Sequence, residues 1–198
     1  MGVQAVYARL GWGVVLAAVL VFGSLRWRPV PWGGLAACVG FALAVMWLPG
    51  QASPAHWLGL AFQWPSALLV ALCTAGLVRA VGPAHGANAP LLPASLALAL
   101  TVGGAVLYAD ASGWLALGMY AAGFGPVAAP AASLLIGSVG AGLMLWGAHR
   151  SVGAALLATA ALYAFTRLPT GNVFDAYLDP FLWLCALWSV LRRAARRR

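Results

Sequence analysis

Charge is what this chain has least of. Only 7% of its 198 residues are charged, all three acidic residues are aspartate, and every one of the eleven basic residues is arginine. An average soluble domain carries about 25% charged residues, so this scarcity excludes water as the main solvent. Cysteine is also sparse. Cys38, Cys73 and Cys185 stand far apart inside apolar stretches, without the paired spacing of a zinc or redox site, and read as small buried hydrophobes. The apolar runs are continuous and do not alternate with polar residues, which argues against a β-barrel. No small-residue cleavage site follows the first apolar run, so no removable leader is expected.

What is present is hydrocarbon: 64% of the residues are hydrophobic and mean hydropathy is +0.93. In lipid the backbone must satisfy itself, which leaves helices as the spanning element. The fold class expected is therefore all-α transmembrane, one integral membrane domain over 1–198, as a bundle of about seven spans. Those spans fall near 10–25, 32–48, 57–78, 91–109, 127–148, 152–166 and 178–192. The first run stops at Arg26-Trp27-Arg28-Pro29, the 82–90 stretch is a loop rich in helix breakers, and Gln63 and Pro65 predict a kink early in the third run. Residues 113–124 are apolar but too short to cross, and predict an interfacial or re-entrant helix.

The net charge of +8 would suggest nucleic acid in a soluble protein. Here five arginines, Arg192, Arg193, Arg196, Arg197 and Arg198, form a tail directly after an apolar segment. That placement suits an anionic cytoplasmic lipid surface and not nucleic acid. With the N-terminus outside, Arg26, Arg28, Arg79, Arg150 and the tail share the inner side, nine of the eleven arginines, while Arg9 and Arg167 face out. The positive-inside rule then places the C-terminus in the cytoplasm and all three aspartates on the outer face. The use of arginine and aspartate alone among charged residues, with abundant alanine and glycine, suggests a high-GC bacterial genome and hence a bacterial inner membrane.

The densest polar stretch runs from Arg167 through Asn172 and Asp175 to Asp179-Pro180. On a helix, steps of three and four would put Asn172, Asp175 and Asp179 on one face. Such a set could work as acid and base on a lipid-linked substrate, with Arg167 and Asn172 holding it. Capping explains the same residues: Asn172 opens one helix, and Asp179 before Pro180 matches an N-cap followed by a proline at the first helical position. Asp110 lies on the same outer side and either completes the site or caps a short helix near Ser112. His56 is the one histidine on that face and a candidate base. The catalytic candidates are thus Asp175, Asp179, Asp110 and His56. His85 and His149 fall inside, so no joint metal or haem site is expected, and no cofactor.

Ser133, Gly137 and Ala141 recur every four residues, as small-residue stripes do where helices approach closely within a bundle or across to a second chain. Membrane lipids, and another membrane protein or a second copy, are the expected partners. No motif names a family. Two functions follow: a non-enzymatic subunit or small transport component of the cell envelope, and an enzyme acting at the outer leaflet on a lipid-linked sugar or phospholipid.

Overall fold

A computed structural model describes residues 2–25, 31–81, 92–147, 149–168 and 170–196. Among these there is no strand. The helices are α1 (Val3–Leu25), α2 (Trp32–Met46), α3 (Pro54–Phe62), α4 (Ala67–Val81), α5 (Ala94–Ala111), α6 (Met119–Ala122), α7 (Ala128–Leu145), α8 (Arg150–Thr166), α9 (Val173–Tyr177) and α10 (Pro180–Ala195). Three of the described helices, in α1, α5 and α7, are long and apolar enough to cross a membrane, while α2, α4 and α8 are apolar but shorter. Leu98 and Val102 on α5, and Leu134, Leu135 and Val139 on α7, are exposed. The 82–90 loop, the Arg26–Pro29 stop, His85 and the last two arginines lie outside the described residues.

The chain divides into two compact units, Met1–Pro65 with Val70–Ala89, and Ser66–Leu69 with Pro90–Arg198. In the first, Ala17, Ala18 and Val21 of α1 pack against Ala42 of α2 and Leu77 of α4. Arg9, near the start of α1, stacks 5.3 Å from the ring of Trp47 at the end of α2, so the two helices run antiparallel. Alanines at this contact let backbones approach closely, where dispersion between helices is strongest.

In the second unit α5 and α10 are antiparallel. Gly104 leaves the space that the Trp183 indole fills, and that indole donates to Thr101 O at 3.0 Å. At the far end Arg193 donates to Leu92 O. Helices α7 and α8 form a hairpin in which Gly140 packs tightly against Gly153: a Cβ on Gly153 would stand 2.6 Å from Gly140 O. Ser133 and Gly137 are buried within this unit, Ser133 Oγ lying 3.5 Å from Tyr177 Oη and Gly137 facing Ala160 of α8. Two members of the small-residue stripe are therefore covered by the chain's own helices.

Three expectations need correction. The 57–78 run is not one helix: α3 ends at Phe62, Gln63 takes φ 60°, and α4 starts only at Ala67. Pro65 lacks an N–H and disfavours helical geometry at Trp64, so the chain breaks where a kink was predicted. Tyr7 Oη donates to Pro65 O at 2.8 Å, taking up a carbonyl the break leaves free. Second, 113–124 is helical only over Met119–Ala122; Gly113 at φ 80° and Gly118 at φ 68° interrupt it. Third, the last long helix begins at Pro180, because Leu178 and Asp179 are extended.

Candidate functional site

The polar residues of the second unit gather where α5 ends, α6 turns and α9 leads into α10. Asp110, in the last turn of α5, reaches forward over the following loop. Its Oδ1 accepts the Leu117 and Gly118 N–H groups at 2.7 and 2.9 Å, and its Oδ2 accepts Tyr120 N–H at 2.8 Å. A carboxylate gathering main-chain donors at a helix start is stabilised by charge-assisted bonds and by the positive helix end. Asp110 thus caps a short helix, but one that opens at Met119 and not near Ser112.

Asn172 ties the two short helices together. Its Oδ1 accepts Phe174 N–H at 2.9 Å, capping α9, and its Nδ2 donates to Tyr120 O at 3.0 Å. The Val173 N–H adds a bond to Gly123 O at 3.0 Å. The asparagine is fully buried, and both ends of its amide are satisfied, as a buried amide requires. Gly123 faces it with no room for a Cβ.

Asp175 sits in the first turn of α9, half-buried, and receives the Tyr120 hydroxyl at 3.2 Å from each of its oxygens. Burial raises the Asp175 pKa above the usual carboxylate value, although hydrogen bonds from Thr170 and Tyr120 pull it the other way. Burial, with the Asp175 charge beside it, pushes the Tyr120 phenol up to about 12. Both shifts follow from loss of water around a charged form. Asp175 and Tyr120 therefore form one hydrogen-bonded pair in which burial disfavours ionisation of each group.

Asp179 is buried and committed to main chain. Oδ1 accepts Leu182 N–H at 2.7 Å and caps α10, while Oδ2 accepts Ser66 N–H at 2.6 Å just ahead of α4. One carboxylate thereby fastens two helix starts. Asn172, Asp175 and Asp179 do not share a helix face as the spacing suggested, since only 173–177 is helical and each side chain turns to its own partner.

Arg167 closes α8 in left-handed geometry at φ 57°. Its Nη1 donates to Tyr163 Oη at 3.4 Å and its guanidinium stacks 5.6 Å from the Tyr163 ring, while Tyr163 Oη donates to Gly171 O at 3.1 Å. His56 belongs to the first unit, where it is exposed and meets Trp57 edge-on at 5.4 Å. Among the described residues no three His, Cys, Asp or Glu form a group that could hold a metal ion.

Sequence reading missed Tyr120, Ser66, Gly123 and Tyr108. Tyr108 Oη is buried without a hydrogen-bond partner among the described residues, its ring edge-on to Trp183 at 5.5 Å. Nothing in spacing singles out these residues, because each matters through a partner far away in sequence. Comparison with protein-family models, with curated proteins and with solved structures finds nothing that matches this chain.

Proposed function

We propose that this chain is a multi-pass protein of the bacterial inner membrane, a non-enzymatic subunit or small transport component of the cell envelope. It crosses seven times, through α1, α2, α4, α5, α7, α8 and α10, with the N-terminus outside and the C-terminus in the cytoplasm. The arginine count supports this orientation. The meeting of Asp110's loop with α9, through Tyr120 and Asn172, supports placing those segments at one membrane surface. The shorter helices, at 15 to 17 residues, rise about 23–26 Å against a core of about 30 Å, a mismatch that local thinning accommodates.

The observation that carries the non-enzymatic reading is how the aspartates are used. Asp110 and Asp179 give their oxygens to main-chain N–H groups, so they fasten helix ends. Apolar side chains point outward from α5 and α7, offering faces for lipid or a second membrane protein. Purification from membranes in mild detergent tests this: a stoichiometric partner supports it, and a chain that elutes alone and turns over a lipid-linked substrate overturns it.

A second reading, an enzyme acting at the outer leaflet on a lipid-linked sugar or phospholipid, draws on one pair. Asp175 with its raised pKa and its tyrosine donor has the character of an acid or base. Loss of such turnover in Asp175→Asn, with folding retained, would favour it.

A further inference from the structure

Between α7 and α8 a lateral groove of about 560 Å³ opens, within the roughly 300–1,000 Å³ of ligand sites. Small side chains make it: Gly137, Ala141, Ala160 and Ala164 leave the space, and Leu134 walls it. The Ser138 hydroxyl donates to Leu134 O at 2.8 Å, so it presents no free donor there. At one end stands Arg167, exposed, on the ring and hydroxyl of Tyr163. A guanidinium has five N–H donors. The tyrosine takes one, and the three aspartates are held elsewhere by their own partners.

The dimensions match one leaflet. From Pro130 to Ala141 the groove follows α7 for about 16 Å at 1.5 Å per residue, against half of a hydrocarbon core of about 30 Å. An apolar channel of that depth, open sideways and carrying a cation at its surface end, is complementary to one molecule: an acyl chain below and an anionic phosphate above. We infer that this groove is a binding site for an anionic phospholipid, the chain lying along Ala141 and Ala164 and the phosphate held by Arg167. The site deepens, and rests on, the reading of this chain as a membrane protein.

The test uses the full chain. Carbonate extraction of membranes comes first: a chain released by it would overturn the membrane reading and this inference together. The embedded chain is then reconstituted in phosphatidylcholine bilayers doped with phosphatidylglycerol, and the lipids kept through detergent washing are counted by native mass spectrometry. Both lipids offer a phosphate, but choline sets a fixed cation against the Arg167 guanidinium, so phosphatidylglycerol should be retained over phosphatidylcholine by roughly tenfold, the scale of one charged contact. Arg167→Gln should abolish the preference and Arg167→Lys should keep most of it. Ala164→Phe, at an exposed position that tolerates bulk, should lower retention of both lipids by filling the groove. Millimolar inorganic phosphate should not displace the lipid. Equal retention of the two lipids, an unchanged preference in Arg167→Gln, unchanged retention in Ala164→Phe, or displacement by phosphate would each overturn the site while leaving the membrane reading intact.

Discussion

Asp179 Oδ2 accepts the Ser66 main-chain N–H at 2.6 Å across 113 positions of sequence, while its other oxygen caps α10 through Leu182. Asparagine caps a helix about as well as aspartate, yet an amide keeps only one acceptor oxygen. Asp179→Asn should therefore lose one of the two bonds and leave a buried N–H without a partner, a cost of about 1–3 kcal/mol. Asp179→Ala should cost more. Thermal unfolding in detergent measures both, and an asparagine variant as stable as the parent would show that the Ser66 bond contributes nothing.

The Gly140–Gly153 crossing predicts a steric effect. A Cβ on Gly153 would meet Gly140 O at 2.6 Å and Met144 Cγ at 2.8 Å, and one of the two is backbone that cannot turn aside. Gly153→Ala should destabilise by about 1–3 kcal/mol, as overpacking does. The matched control is Gly103→Ala, where no atom lies within 4 Å. That variant should be as stable as the parent or more so, by up to about 1 kcal/mol, because alanine is the better helix former.

Asp175 predicts a pH dependence of known sign. Its folded pKa lies above the ordinary value of 3.8, so the folded state holds the proton more tightly than the unfolded state. The stabilisation is complete below about pH 4 and fades as pH rises through the folded pKa. Asp175→Asn should flatten the curve in that window and be relatively more stable near neutrality. Tyr120, raised from 10.0 to about 12, gives a second decline across that alkaline range, absent in Tyr120→Phe. Unfolding midpoints at stepped pH check both, and a parent curve that climbs from pH 4 to 7 more steeply than that of Asp175→Asn would contradict the first.

The proposed orientation predicts labelling. A single cysteine at residue 171 in a Cys-less chain should react with an impermeant reagent without opening the inner membrane. Cysteines replacing Ser112 and Gly125 should react from that same side, since α6 is a single turn of about 6 Å. Opposite labelling of those two positions would mean that the intervening segment crosses, and would invert the spans before it.

Composition and the unbroken apolar runs together determined that this chain would be apolar and helical. With 7% charged residues and apolar runs that do not alternate with polar residues, a barrel is disfavoured and hydrogen-bonded helix is the arrangement left to such a backbone. Several ends were legible too, because caps and breakers act within a turn of themselves: Asn172 opens α9 and Asp179-Pro180 opens α10. Tertiary structure decided the rest. At the split after Phe62, Tyr7 and Trp12 of a helix distant in sequence donate to the Pro65 and Gln63 carbonyls that the break frees. The single turn at Met119 depends on Asp110 folding back over its own loop. A three-and-four spacing placed Asn172, Asp175 and Asp179 on one face only if the segment stayed helical. It does not, because Leu178 and Asp179 are extended ahead of Pro180, and the carboxylate then reaches Ser66, a partner that local periodicity has no means of naming.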